Sequence, residues 1–108
     1  MKVVKLFRAV GFAEYASLVD GVPFQVLPGG VGVKYFGVNF DETLEFANKP
    51  INNGIVAVFE IEIPESILMD VGDFVHVDKF IFRSGTVEIP EERLAAFNDA
   101  VQYVRHIY

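Results

Sequence analysis

Apolar and polar positions alternate most regularly over residues 55–63. Ile55, Ala57, Phe59, Ile61 and Ile63 fall on one face by period two. Val56 and Val58 make the other face apolar as well, until Glu60 and Glu62 turn it toward solvent. This predicts an interior strand with one end emerging from its sheet. Residues 3–10 read similarly, with Val4, Leu6 and the aliphatic stem of Arg8 on one face and Val3, Lys5, Phe7 and Ala9 on the other. After Gly11 the pattern changes to a helical one over 12–19, with Glu14 early and Tyr15, Leu18 and Val19 able to reach a core. Asp20-Gly21 is a turn signal. Residues 22–27 predict an irregular or edge strand, because Pro23 has no N–H to give a ladder.

Residues 32–47 predict a strand that runs directly into a short, acidic-faced helix. Lys34, Tyr35, Phe36, Gly37 and Val38 have strand composition. Asn39 is placed to cap the helix, and Glu42 three residues on completes a capping-box pattern. Asp41 and Glu42 lie in the first turn, where the helix dipole favours negative charge. Phe40, Leu44 and Ala47 share a face at i, i+4 and i+7. The Pro28-Gly29-Gly30-Val31-Gly32 loop precedes a strand, whereas phosphate-cradling glycine loops open a helix after one. It reads as a hairpin connection, with a flap over a cleft or a phosphate cradle as the alternatives.

A turn-rich connection follows over residues 49–54. Pro64 stops the strand at 55–63 and starts a helical turn over 65–69. A loop over 70–73 leads to predicted strands at 74–82 and 85–89, and Pro90 repeats the Ile-Pro-Glu joint of residues 63–65. Finally, Leu94, Phe97, Val101, Val104 and Tyr108 recur at helical spacing, with Ala96 and Ala100 beside them. They predict a terminal helix packed on the sheet, with a helix-mediated dimer as the alternative. The sum is an α+β domain spanning 1–108, a mixed, largely antiparallel sheet of five or six strands with three or four helices.

Composition narrows the chemistry. The chain has 108 residues, enough for one modest core. Eleven Phe residues make that core ring-packed or leave rings for a cleft wall. No Cys is present, which excludes disulfides, thiolate metal sites and a thiol nucleophile. The net charge of −6, with basic residues scattered singly, argues against a nucleic-acid surface. No stretch reads as a signal peptide or a membrane span, so a cytoplasmic protein is expected. His76 and His106 are the only histidines; His76 shares a strand face with Asp78, too small a set for a metal site, and no metal is expected. Ser17, Ser66 and Ser84 have no nucleophile elbow or neighbouring base.

Four segments carry a resemblance: Leu6-Phe7-Arg8-Ala9-Val10, Glu14-Tyr15-Ala16, Lys34-Tyr35-Phe36-Gly37 and the helix from Asp41 to Ala47. In this order they resemble small bacterial domains of the ADP-ribosyltransferase-like fold, including the C-terminal toxin modules of polymorphic toxin proteins. The similarity continues through residues 55–64 and 84–90. It implies NAD as substrate, with Arg8 as the first-strand arginine that holds the dinucleotide and Tyr35 and Phe36 as the aromatics beside the nicotinamide. It also implies a late-strand carboxylate that stabilises positive charge developing on the ribose. Two positions depart from the pattern. Gly37 stands where a small hydroxyl residue is common, and Thr86 stands where the catalytic Glu is usual. Glu88, two residues on and on the same strand face, is the candidate catalytic carboxylate. The expected function is transfer of ADP-ribose to a protein target or hydrolysis of NAD. The alternatives are an inactive fold relative that binds a nucleotide or protein through the same cleft, and a plain acidic module for a basic partner.

Overall fold

The two segments with the clearest alternation pair with each other. β1 (Val3–Gly11) and β3 (Ile55–Pro64) run antiparallel from Val3 opposite Pro64 to Val10 opposite Ala57, with an irregularity at Gly11. The computed structural model describes residues 2–25, 32–75 and 82–108. Within them β2 (Val33–Gly37), β4 (Asp73–Val75), β5 (Thr86–Pro90) and β6 (Tyr103–His106) complete one open antiparallel sheet, in the order β4-β5-β2-β1-β3-β6. Four helices attend it: α1 (Phe12–Val19), α2 (Phe40–Ala47), α3 (Glu65–Val71) and α4 (Leu94–Ala100). The α+β class and the antiparallel sheet are those the periodicity predicts, and β1 and β3 are interior strands as expected.

Period-two alternation gives the sheet two unequal faces. Leu6 and Val10 of β1, Phe36 of β2, the odd-numbered residues 57–63 of β3, and Val87 and Ile89 of β5 form the main core with Phe24, Leu68, Val71, Leu94 and Phe97. Tyr15 and Leu18 bring α1 onto this face. Phe36, Phe24 and Phe97 meet with ring centroids 5.0 to 6.1 Å apart, in tilted and edge-to-face pairs. The opposite face carries α2, whose Phe40 ring lies 5.9 Å from that of Phe7.

The terminal helix ends early. Its first turns bury Leu94 and Phe97 as the spacing predicts, but Val101 is extended and residues 103–106 form β6. The reason is the free side of β3. Gln102 donates its N–H to the Glu62 carbonyl at 2.8 Å, and β6 then pairs with β3 from Tyr103 opposite Glu62 to His106 opposite Phe59. Val101, Tyr103, Val104 and Ile107 suit a pleated surface better than a helix, and Val104 stands beside Ile61. The Tyr103 hydroxyl donates to Glu60 at 2.6 Å, which pushes its pKa up to about 12.

Other differences are local. Residues 22–25 form no strand; Asn98 of α4 instead accepts from the Phe24 N–H at 3.0 Å and donates to its carbonyl at 2.7 Å. This side chain satisfies the backbone beside Pro23 where a ladder cannot. Val56 is exposed, although Val58 on the same face is buried. Of the predicted strand at 74–82 only residues 74 and 75 are seen in β4; residues 76–81, with His76 and Asp78, lie outside the described residues, as do residues 26–31 of the glycine loop.

Candidate functional site

The sheet is weakest at its centre. β1 and β2 pair only where Phe7 stands opposite Gly37, whereas β2 and β5 pair along five residues from Val33 opposite Pro90 to Gly37 opposite Thr86. Continued in register, Ala9 would meet Tyr35, but there the strands have parted. Arg8 bridges the gap, its Nη1 donating to the Tyr35 carbonyl at 2.7 Å. The guanidinium thus satisfies a strand carbonyl that β1 does not reach.

A cleft of about 440 Å3 lies at this opening, within the usual size range for small-molecule sites. Phe7, Arg8 and Ala9 line it from β1, and Tyr35, Phe36 and Gly37 from β2. Thr43 and Phe46, three residues apart on α2, form a further wall with Phe82, whose ring lies 5.3 Å from that of Phe46. Ile55 and Thr86 complete it. Arg8 is the one ionisable cation among these residues, in a lining that is otherwise mostly aromatic and aliphatic.

Gly37 is what lets α2 approach. A Cβ there would collide with the Thr43 hydroxyl and lie 3.3 Å from the Phe82 ring. Thr43 is buried, and its hydroxyl donates to the Asn39 carbonyl at 2.9 Å. The helix cap is half of the expected box. Asn39 Oδ1 accepts from the Glu42 N–H at 3.0 Å, but the Glu42 carboxylate does not reach back. It accepts instead from the Ser84 N–H at 3.0 Å and the Ser84 hydroxyl at 2.8 Å. Glu42 is only 5% exposed, so these bonds replace its water and tie α2 to the turn that enters β5. The cap was legible; the carboxylate's distant partner was not.

Behind the cleft, Arg8 sits in a cluster of three charges. Its Nε and Nη2 donate to the two Glu14 carboxylate oxygens at 2.6 and 3.0 Å, and Lys34 Nζ reaches the same Glu14 Oε1 at 3.2 Å. Burial pushes the Glu14 carboxyl up, but the hydrogen bond and charge of Arg8, with those of Lys34, outweigh it and hold the group below its usual range. The Lys34 ammonium is pushed down, first by burial and then by repulsion from Arg8, with Glu14 opposing both. Glu14 is a site residue the sequence reading passed over. Its available signals were its place a single helical turn after the strand that carries Arg8 and its place in the Glu14-Tyr15-Ala16 segment.

The structure brings Arg8, Tyr35, Phe36 and Thr86 to one cleft, on different faces of the sheet. Arg8 and Phe36 project to the core face, where the Arg8 guanidinium carbon lies 5.7 Å from the Phe36 ring centroid. Tyr35, Thr86 and Glu88 share the α2 face, because Tyr35 pairs with Glu88 and Gly37 with Thr86. Thr86 is buried in the cleft; Glu88 does not line it. Glu88 stands directly opposite Tyr35 on the neighbouring strand, and its carboxylate, helped by burial, raises the Tyr35 pKa. The expected acid is therefore one pleat away from the cleft, opposite Tyr35. Thr43, Phe46 and Phe82 are lining residues that sequence reasoning missed.

No protein-family model matches the chain, and no curated protein or solved structure matches it. Among the described residues no three His, Asp or Glu side chains are grouped to hold a metal, and no helix is long and apolar enough to cross a membrane.

Proposed function

We propose that this chain is an ADP-ribosyltransferase-like domain that binds NAD in the cleft between β1 and β2. The observation that carries this reading is the parted strand pair, with a single guanidinium among aromatic walls. A planar ring with an anionic tail is the ligand such a lining selects: rings stack on rings, and a guanidinium fork matches phosphate oxygens. In this reading Tyr35 flanks the nicotinamide with Phe46 and Phe82, in place of Phe36, which is 1% exposed and packed in the core, and Arg8 holds the phosphates. Glu88 is the carboxylate that would stabilise positive charge on the ribose as ADP-ribose is transferred to a protein target or to water. Tyr35, which lines the cleft, stands opposite that carboxylate on the neighbouring strand.

A second reading has its own support. Thr86, which cannot carry negative charge, occupies the cleft on the same strand and face as Glu88, so NAD or another nucleotide would bind without turnover. Calorimetry of NAD with the wild type and Arg8→Ala, with chromatography of the same samples, separates the two. The transferase or hydrolase reading expects binding that Arg8→Ala removes, and free nicotinamide that Glu88→Ala abolishes while the fold persists. Binding without nicotinamide release supports the inactive relative. No binding of NAD at millimolar concentration overturns both.

A further inference from the structure

The Arg8 guanidinium has five N–H donors, and among the described residues three are engaged, two by Glu14 and one by the Tyr35 carbonyl. Glu14 is shared. Its Oε1 takes both Arg8 and Lys34, at 3.0 and 3.2 Å. Two cations thus face one carboxylate, an excess of positive charge inside a chain whose net charge is −6. The side chains of Arg8 and Glu14 are each 20% exposed and that of Lys34 is 11% exposed, so bulk water screens the cluster only in part.

We propose that Glu14 is an internal counter-anion that sets the cleft's affinity for phosphate-bearing ligands: an incoming phosphate draws Arg8 off Glu14, and Lys34 keeps the carboxylate neutralised. Taking Arg8 from a lone, partly buried carboxylate would leave an uncompensated charge, which is strongly unfavourable. With Lys34 already on the same oxygen, the carboxylate keeps a partner throughout. Arg8 is the cation suited to leave, because it lines the cleft and its planar fork can grip two phosphate oxygens at once. Lys34 is suited to stay, since it is the more buried of the two and does not line that cleft. Glu14 is therefore a positioning residue that competes with the ligand. The inference rests on the cleft taking an anionic ligand, of which the pyrophosphate of NAD is one case.

The test is calorimetric titration of inorganic pyrophosphate into the wild type, Glu14→Gln, Lys34→Met and Arg8→Ala. Removing the competing anion should tighten binding by about tenfold in Glu14→Gln, a gain that structural damage would not produce. Lys34→Met should weaken it, and Arg8→Ala should abolish it. A second measurement uses the wild type alone: the NMR signal of the Arg8 Nε–H, now bonded to Glu14, should move with pyrophosphate and saturate at the calorimetric midpoint. Unchanged or weaker binding by Glu14→Gln, an unmoved Nε–H signal, or no pyrophosphate binding to any form overturns the inference. If NAD binding depends on Arg8 while Glu14→Gln binds pyrophosphate no more tightly, only the counter-anion role fails. If pyrophosphate behaves as expected and NAD does not bind, only the NAD reading fails.

Discussion

Gly37→Ala tests the contact on which the cleft is built. Gly37 does not have a positive φ, so its backbone accepts alanine, and the smaller conformational freedom of the unfolded variant would by itself stabilise by about 0.4–1 kcal/mol. Space opposes this. The new methyl would overlap the Thr43 hydroxyl and come within 3.3 Å of Phe82. Thr43 is 2% exposed and bonded to the Asn39 carbonyl at 2.9 Å, so it cannot swing away without breaking that bond. Overpacking of this kind costs about 1–3 kcal/mol. The clash is severe enough to place it in the upper half, for a net loss of about 2 kcal/mol. For a domain near this size that lowers Tm by roughly 8–16 °C. Thr43→Ala alone should cost about 1 kcal/mol for its hydrogen bond. Once the hydroxyl is gone the added methyl has room, so the double variant should be more stable than the two losses predict, by at least ~1 kcal/mol. Urea unfolding of the four proteins measures this. Losses that add to within about 0.5 kcal/mol, or a Gly37→Ala protein as stable as the wild type, would refute the reasoning.

Glu42→Ala strands the Ser84 N–H and hydroxyl beside a buried helix end, and should cost about 1–3 kcal/mol in urea unfolding; a loss below a few tenths would show that water replaces the carboxylate. For Glu14 the folded pKa lies below its ordinary value of 4.5, so its pairing stabilises the fold fully above that pH and is lost as pH falls through the lower folded value. The stability gap between wild type and Glu14→Gln should accordingly shrink with acidification below pH 4.5, and a gap independent of pH counts against the pairing. In NMR spectra, backbone contacts should link Val104 to Ile61 across β6 and β3, whereas sequential helical contacts from Val101 to Val104 would restore the terminal helix.

The chain's local patterns and its long-range partners were unequally legible. The alternation at residues 3–10 and 55–63 identified β1 and β3 and their interior place in the sheet, though not the exposure of Val56. Pro64, Pro90 and Asn39 marked element boundaries correctly, because a missing N–H or a capping oxygen acts within a few residues. The spacing of Leu94, Phe97, Val101, Val104 and Tyr108 was ambiguous in kind. A helical stripe and a helix followed by a strand share it, and only the unfilled side of β3 selects between them. Arg8, Tyr35 and Thr86 could be named in advance, but not the pairing of Arg8 with Glu14 or of Glu88 with Tyr35.

By itself, then, the sequence determined the class of fold, the order of most of its elements and the core-facing residues of β3, since these depend on periodicity and on steric rules local to the backbone. Tertiary structure alone decided that β1 and β2 part after Phe7 and Gly37, that Arg8 closes the gap, and that Thr43 and Phe46 wall the cleft. Those outcomes depend on which buried donors, carboxylates and rings meet when the sheet closes, and side chains that far apart in the chain leave no mark of their meeting in its pattern.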